Sequence, residues 1–212
     1  KDVPIVFWRS DRAEPFPCGD APAERWVAAF SFCTPGREQA RHALAQAKAA
    51  LQGSEALFVA GGPHPSGDPA DALDMGFDLV IIGEAEAVWS ELVVRFRQKE
   101  SWEALPGLAY RQEERLIRTG PAPRILDLDA YPPFAPQHHL FAPIEITRGC
   151  PFGCLFCQTT YLFGGRPRHR SVERILHWVQ IAHHHGIPFA RFVAPNLLAY
   201  GSPDGRSTNL AA

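Results

Sequence analysis

Three cysteines, Cys150, Cys154 and Cys157, lie close together in a C-x₃-C-x₂-C pattern, and this pattern constrains the chain more than any other feature. The apolar run at 144–147 predicts a strand, and the glycines and prolines that follow it break regular structure. The thiols are therefore expected on a loop at the end of a strand, where they can surround a small bound group such as a metal site. Thiolates bind soft metals, and an iron–sulfur cluster is usually held by four cysteine thiolates. This stretch contains only three cysteines.

Other uses of clustered cysteines are open at this point. A structural zinc site usually has two C-x₂-C pairs, or two cysteines with two histidines, and His138 and His139 are the nearest possible fourth ligands. A disulfide framework suits small, cysteine-rich secreted domains, whereas this chain has 212 residues and five cysteines. Three local thiols therefore favour an iron–sulfur cluster in which one iron takes a ligand from outside the protein.

The thiol stretch resembles the radical S-adenosylmethionine (SAM) superfamily, both in its cysteine spacing and in the aromatic residue before the last cysteine. The resemblance implies that Cys150, Cys154 and Cys157 hold a [4Fe–4S] cluster and that SAM binds the open iron. Reductive cleavage of SAM would then give a 5′-deoxyadenosyl radical, with flavodoxin or ferredoxin as the implied electron donor. The resemblance assigns no further catalytic residue. The implied SAM contacts are Phe156, Gly164 and Gly165.

The bulk composition is that of a globular protein, with 46% hydrophobic and 21% charged residues. The net charge of −2 gives no reason to expect a nucleic-acid or membrane-surface partner. No apolar run approaches the length of a membrane span, and no signal peptide is visible. The sparse cysteines fit a reducing compartment, so we expect a cytoplasmic location.

Short apolar runs alternate with amphipathic segments, which predicts a parallel sheet covered by helices on both faces. A hairpin is predicted at 108–118. The predicted strands are 3–8, 26–33, 56–60, 77–82, 144–147 and 189–194. The predicted helices cover 34–52, 70–75, the region around 88–96, and 171–185, the last with the apolar face Val172, Ile175, Leu176, Val179 and Ala182.

Three predicted loops, at 31–34, 61–64 and 83–86, follow strands of this sheet, and ligands of open α/β sheets bind beyond the carboxyl ends of the strands. These loops are similar to those of the cobalamin-binding domain that precedes many radical SAM domains: a Ser-containing loop, paired glycines and a Gly-Glu-x-Glu turn. The cobalamin contacts that this resemblance implies are Ser31, Thr34, Gly61, Gly62, His64, Gly83 and Glu84.

The chain departs from that family in two respects. The Asp-x-His-x-x-Gly motif that supplies a histidine to cobalt is absent, and His64, which lies in a different loop, is not assigned to the metal. The connection between the first two predicted strands has about 17 residues without a helical period, whereas a parallel crossover usually contains a helix. We therefore expect the first helix to be lost or reduced.

The expected fold class is α/β, with an N-terminal Rossmann-like domain of the cobalamin-binding type at 1–118. A proline-rich linker at 119–137 is expected to join it to the start of a (βα) radical SAM partial barrel at 138–212. The chain ends about one βα unit after the thiol loop, so we expect a fragment that lacks a complete active site.

Together these resemblances imply a cobalamin-dependent radical SAM enzyme, for which methyl transfer to an unactivated carbon is the commonest outcome. One alternative is a radical SAM enzyme with a degenerate front domain and no cobalamin. Another is a non-catalytic zinc or iron–sulfur module. The basic residues Arg166, Arg168, His169 and Arg170 predict either contact with an anionic group or a solvated loop before the next helix.

Overall fold

The structure, a computed structural model, describes residues 5–8, 16 and 25–209. The chain divides into two compact units, residues 1–123 and 124–212. No helix in the described part of the chain has the length and apolar character that crossing a bilayer requires.

The first unit contains one five-stranded sheet with the strands in chain order, β1-β2-β3-β4-β5. Its strands are β1 (Arg25–Ser31), β2 (Glu55–Gly61), β3 (Leu79–Ile81), β4 (Leu108–Gln112) and β5 (Arg115–Arg118). Its helices are α1 (Arg37–Ala50), α2 (Pro63–Gly67), α3 (Pro69–Asp74) and α4 (Glu86–Gln98).

The first three strands are parallel, as predicted, and β4 and β5 form the predicted hairpin on one side of them. Ser31 pairs with Gly61, so the carboxyl ends of β1 and β2 lie side by side. Glu113 and Glu114 make the hairpin turn with φ values of 47° and 64°, the left-handed pair that a two-residue turn requires.

Helices cover both faces of this sheet, as its alternating pattern predicts. In β2, Leu57 and Val59 pack with Leu92 of α4 on one face. Phe58 and Ala60 point to the other face and share a core cluster with Leu44 of α1 and its neighbours. The period of two along the strand therefore divides the unit into two apolar layers.

The first predicted strand, 3–8, is wrong for the residues that the structure describes. Residues 5–8 have no strand structure, and Ile5, Val6 and Phe7 are 58%, 47% and 49% exposed. Val3 and Pro4 lie outside the described residues. An apolar run becomes a buried strand only when a neighbour pairs with it, and among the described strands β1 pairs with β2 alone.

The second unit is built from short elements around one apolar cluster. These are β6 (Ile144–Glu145), β7 (Thr147–Arg148), α5 (Thr159–Phe163), β8 (Arg168–His169), α6 (Val172–His184) and β9 (Phe192–Val193). β6 runs parallel to β9, and β7 pairs antiparallel with β8. Of the predicted strand at 189–194, only residues 192–193 form a strand. Along the chain, α6 lies in the connection from β6 to β9.

The predicted apolar face of α6 is partly wrong. Val172 and Leu176 are 49% and 55% exposed, whereas Trp178 is 8% exposed and lies in the core with Ala182. The packing face is rotated towards Trp178 because this side chain offers the larger apolar area to bury. The predicted helix start is found, since Ser171 Oγ accepts a hydrogen bond from the Arg174 N–H at 3.2 Å.

The proline-rich segment predicted as a linker contains core residues of the second unit. The boundary between the units follows Pro123. Beyond it, Ile125, Leu128 and Phe134 are 7%, 2% and 8% exposed, and the Phe134 ring lies 5.4 Å from that of Trp178. Residues 124–137 are therefore tied to the second unit by apolar packing.

Candidate functional site

In the first unit, the loops after β1 and β2 are joined directly by their backbones. The Phe32 N–H donates to the Gly61 carbonyl at 3.2 Å, and the His64 N–H donates to the Phe32 carbonyl, also at 3.2 Å. Gly62 has a φ of +90°, and a Cβ there would lie 2.7 Å from Ser31 Oγ and 3.0 Å from the Phe32 nitrogen. Only glycine fits this crossing point, so Gly62 is a structural requirement of the site, whereas Gly61 has room for a Cβ.

The loop after β3 joins the same edge through Ser66. The Gly83 N–H donates to Ser66 Oγ at 3.1 Å, and Ser66 is 2% exposed. The three predicted loops therefore meet at the carboxyl ends of the parallel strands. Glu84 is 3% exposed, so its side chain contributes almost no surface to this edge.

A chain of polar side chains crosses this edge, from Thr34 through His64 and Asp71 to Arg37. Thr34 Oγ1 lies 3.1 Å from His64 Nδ1, and His64 Nε2 lies 3.0 Å from Asp71 Oδ2. Arg37 donates to both Asp71 carboxylate oxygens at 2.7 Å. These bonds from Arg37, together with the weaker one from His64, lower the pKa of Asp71 to about 2.

Sequence reasoning missed Arg37, Ser66 and Asp71. The first belongs to α1, the second to α2 and the third to α3, and no spacing along the chain links them to Thr34. The strand register brings them together, because it sets which loops meet at the sheet edge.

In the second unit, the thiol loop follows β7 and is fixed near both of its ends. The Cys150 N–H donates to the Gly164 carbonyl at 3.0 Å, and the Thr160 hydroxyl donates to the Cys150 carbonyl at 2.7 Å. Gly149 has a φ of +92°, and a Cβ there would lie 2.5 Å from the Arg166 carbonyl oxygen. The backbone around Cys150 is therefore closely packed and needs glycine before it.

The three cysteines of this loop are unbridged, with Cys150 half-buried and Cys154 and Cys157 exposed. Cys154 and Cys157 are joined by a turn in which the Cys157 N–H donates to the Cys154 carbonyl at 3.0 Å. Hydrogen bonds from the Thr159 hydroxyl, whose oxygen lies 3.3 Å from Cys157 Sγ, and from the Thr159 backbone lower the pKa of the Cys157 thiol. This thiol is thereby disposed to act as a thiolate ligand.

The structure does not bring the three sulfurs together as a metal-binding group. Within residues 5–8, 16 and 25–209, no three His, Cys, Asp or Glu side chains are close enough to hold a metal ion, and His138 and His139 complete no such set. The donor chemistry of three unbridged thiols on one anchored loop fits an iron–sulfur cluster, while their side-chain arrangement is not that of a formed site.

The residues predicted to contact SAM are spread around this loop. Phe156 is 92% exposed. Gly164 has a φ of +80°, and a Cβ there would collide with the Arg124 guanidinium. Gly165 is exposed, with Pro151 Cα 3.9 Å from its ideal Cβ position. A small cleft beside the loop is lined by residues that include Thr147, Gly149, Cys150, Asn196 and Gly205. Phe156, Gly164 and Gly165 do not line this cleft.

The basic cluster after the thiol loop is mostly structural. Arg168 and Arg170 are 9% and 3% exposed, so a solvated loop is wrong for both. Arg168 donates to the Ile125 carbonyl and, at 2.8 Å, to the Phe163 carbonyl. Burial lowers the pKa of Arg170, in spite of the nearby carboxylates. Of the three arginines, Arg166 alone is exposed and free to face an anionic group.

The sequence of the second unit decides the family. Residues 144–204 match the model of the radical SAM superfamily. This segment of the chain belongs to the radical SAM superfamily. Over 163 residues, this radical SAM protein is 31% identical to an uncharacterized methyltransferase of Pyrococcus horikoshii, a match that covers 69% of this chain and 35% of the relative. The chain thus spans about a third of the length of that relative.

Two solved structures match the fold of this radical SAM protein. OxsB, a cobalamin-dependent SAM radical enzyme solved with aqua-cobalamin and SAM, has a TM-score of 0.67 at 16% identity, over 81% of this chain and 26% of OxsB. TsrM, a radical SAM methyltransferase from Kitasatospora setae, has a TM-score of 0.66 at 14% identity, over 84% of this chain and 38% of TsrM. The predicted fold class, a Rossmann-like sheet followed by the start of a radical SAM barrel, is confirmed.

Proposed function

We propose that this chain belongs to a cobalamin-dependent radical SAM enzyme that transfers a methyl group to an unactivated carbon. Cys150, Cys154 and Cys157 would hold a [4Fe–4S] cluster, to which SAM binds. The edge of the first sheet would bind cobalamin. We place the enzyme in the cytoplasm, with flavodoxin or ferredoxin as electron donor.

The observation that carries the proposal is the position of the three unbridged thiols on one loop after the strand segment at 144–148. The first part of that segment, β6, is paired in parallel with β9, with α6 in the connection between the two strands, whereas β7, which the loop follows directly, pairs antiparallel with β8. Reactive groups of parallel α/β folds lie at such carboxyl ends. The names of the relatives support methyl transfer, since the Pyrococcus horikoshii protein and TsrM are both called methyltransferases.

When bound, the cluster supplies an electron to SAM, and cobalamin carries the methyl group. The residues of this chain bind and orient these groups. Thr159 lowers the pKa of Cys157 and so favours its ligating thiolate form. Gly149 and Thr160 fix the backbone on which Cys150 is carried.

The first unit fits a large planar ligand because its edge combines polar groups with an approach free of side chains. Gly61 has no side chain to obstruct a ligand at this edge, and the exposed Ser31 and Thr34 offer hydroxyl groups nearby. His64 does not supply a cobalt ligand in this arrangement, because both ring nitrogens already face side-chain partners. This agrees with the absence of the Asp-x-His-x-x-Gly motif.

Anaerobic reconstitution of the intact protein with iron and sulfide tests the cluster. We expect close to four irons per chain and the broad visible absorbance of a [4Fe–4S] cluster, both lost in Cys154→Ala. Cys33→Ala is the matched control, because Cys33 is also exposed and unbridged but lies in the first unit. Full iron uptake by Cys154→Ala would contradict the cluster assignment.

The reaction is tested with the reconstituted protein, SAM and a reductant. Formation of 5′-deoxyadenosine distinguishes an enzyme from a non-catalytic module. A methylated product that requires cobalamin distinguishes the proposed enzyme from a radical SAM enzyme without cobalamin. Turnover that is equal with and without cobalamin would favour that second enzyme.

A further inference from the structure

We propose that His64 is a positioning residue that fixes the Thr34 hydroxyl as a hydrogen-bond acceptor for an N–H donor on bound cobalamin. The donor class is the primary carboxamide, which the corrin ring carries on several side chains. This inference rests on the proposed function, because it takes cobalamin to bind at the edge formed by the ends of β1, β2 and β3.

The ionised Asp71 carboxylate can only accept hydrogen bonds. Arg37 donates through Nε to Oδ2 and through Nη2 to Oδ1, both at 2.7 Å, and this forked pairing keeps the carboxylate ionised. His64 Nε2 lies 3.0 Å from Oδ2. Because an ionised carboxylate has no hydrogen to give, His64 Nε2 must carry the hydrogen of that bond.

The hydrogen on Nε2 fixes the tautomer of the His64 ring. In the neutral imidazole, a hydrogen on Nε2 leaves Nδ1 as an acceptor. Thr34 Oγ1 lies 3.1 Å from Nδ1 and therefore donates its only hydrogen to the ring. The lone pairs of the Thr34 oxygen stay available, so a ligand that reaches this hydroxyl must bring a donor.

The contact between Thr34 and His64 is not needed to hold α1 and α3 together. Arg37 and Asp71 already join α1 to α3 by two hydrogen bonds. The His64 ring is further supported by Phe32, whose ring lies 5.5 Å away and stacks on Phe77 in the core. Thr34 is exposed at the end of this chain of contacts, beside the loop of the paired glycines. The Thr34 hydroxyl, held by His64, is therefore placed to accept a hydrogen bond from a ligand.

The test is a titration of the intact protein with hydroxocobalamin, followed by absorbance, in two pairs of variants. Thr34→Val removes the hydroxyl at nearly constant shape, and Thr34→Ser keeps it. His64→Gln keeps an amide near the position of Nε2 and loses the partner of Thr34. His64→Asn keeps an amide near the position of Nδ1 and loses the partner of Asp71.

We expect Thr34→Val and His64→Gln each to weaken cobalamin binding about tenfold, the usual worth of one hydrogen bond. The double variant should also lose about tenfold, because His64 acts on the ligand only through the Thr34 hydroxyl, which Thr34→Val already removes. Thr34→Ser should restore the affinity, and His64→Asn should bind more tightly than His64→Gln. Thr34 lies on an exposed loop, so Thr34→Val still tests the proposal if a His64 variant fails to fold.

Nitrogen-15 NMR of the His64 ring gives a readout that does not depend on activity. We expect a protonated Nε2 and an unprotonated Nδ1, with the Nδ1 shift changed by Thr34→Val. Wild-type affinity in both Thr34→Val and His64→Gln would overturn the positioning role and leave the proposed function intact. The opposite tautomer would overturn it too. No cobalamin binding by the wild-type protein would instead overturn the proposed function, and this inference with it.

Discussion

Gly62 is the single residue on which the edge of the first sheet most depends. Its φ is +90°, and the space where a side chain would begin is occupied by Ser31 and the Phe32 backbone. Its ψ is −174°, and this combination of φ and ψ, which glycine alone adopts readily, costs another residue about 1–3 kcal/mol. At Gly62 the collision with backbone atoms adds to this cost.

We predict that Gly62→Ala lowers the free energy of unfolding by about 3 kcal/mol, as measured by urea denaturation. Gly53→Ala is the matched control. Gly53 has a φ of +91° with nothing within 4 Å of its ideal Cβ position, so this change should cost only about 1 kcal/mol. Equal losses in the two variants would show that crowding at the strand crossing is unimportant.

At the scale of elements, the short pieces of the second unit are held by buried arginines as well as by apolar packing. Arg170 Nε donates to the Glu145 carbonyl at 3.1 Å, and Nη1 donates to the Tyr131 carbonyl at 3.0 Å. It thereby joins the proline-rich segment to β6. A two-residue strand has few ladder hydrogen bonds of its own, so these side-chain bonds make up a large part of its support.

We predict that Arg170→Met lowers the free energy of unfolding by about 3 kcal/mol, because it leaves two inward-facing carbonyls without their donor. Arg166→Met serves as the control, since Arg166 belongs to the same basic cluster but is exposed. That change should stay within about 0.5 kcal/mol of the wild-type value. A larger loss for Arg166→Met than for Arg170→Met would mean that the buried bonds contribute little.

At the scale of the whole molecule, each unit has apolar clusters of its own. Two clusters lie in the first unit and one in the second, and no described member is shared between the units. The proposed cobalamin edge and the thiol loop therefore rest on different cores.

We predict that the two cofactor sites respond independently in the intact protein. Cys154→Ala should lose the cluster absorbance but bind hydroxocobalamin with wild-type affinity, because the exposed Cys154 lies outside the first unit. Gly62→Ala should weaken cobalamin binding while the iron content stays at the wild-type level. Loss of both cofactors in either variant would contradict independent sites.

The sequence alone determined the features that depend on near neighbours. The spacing of Cys150, Cys154 and Cys157 placed them on one loop, and the helical period of α1 and the hairpin at 108–118 were predicted correctly. The turn of the hairpin has two residues, one fewer than the predicted connection at 112–114. The paired glycines were predicted to admit a ligand to the backbone, whereas the structure places Ser31 and the Phe32 backbone against Gly62. The features predicted correctly follow from local conformational preferences, which a window of a few residues contains.

Only the tertiary structure decided which distant residues meet. Strand register brought Asp71 and Arg37 to His64, and packing chose Trp178 over Leu176 as the inner face of α6. Residues 5–8, an apolar run by sequence, form no strand. The buried arginines look like a solvated basic loop in the sequence. Burial and long-range pairing depend on the fold as a whole, because the same side chain is a core residue or a surface residue according to what lies against it.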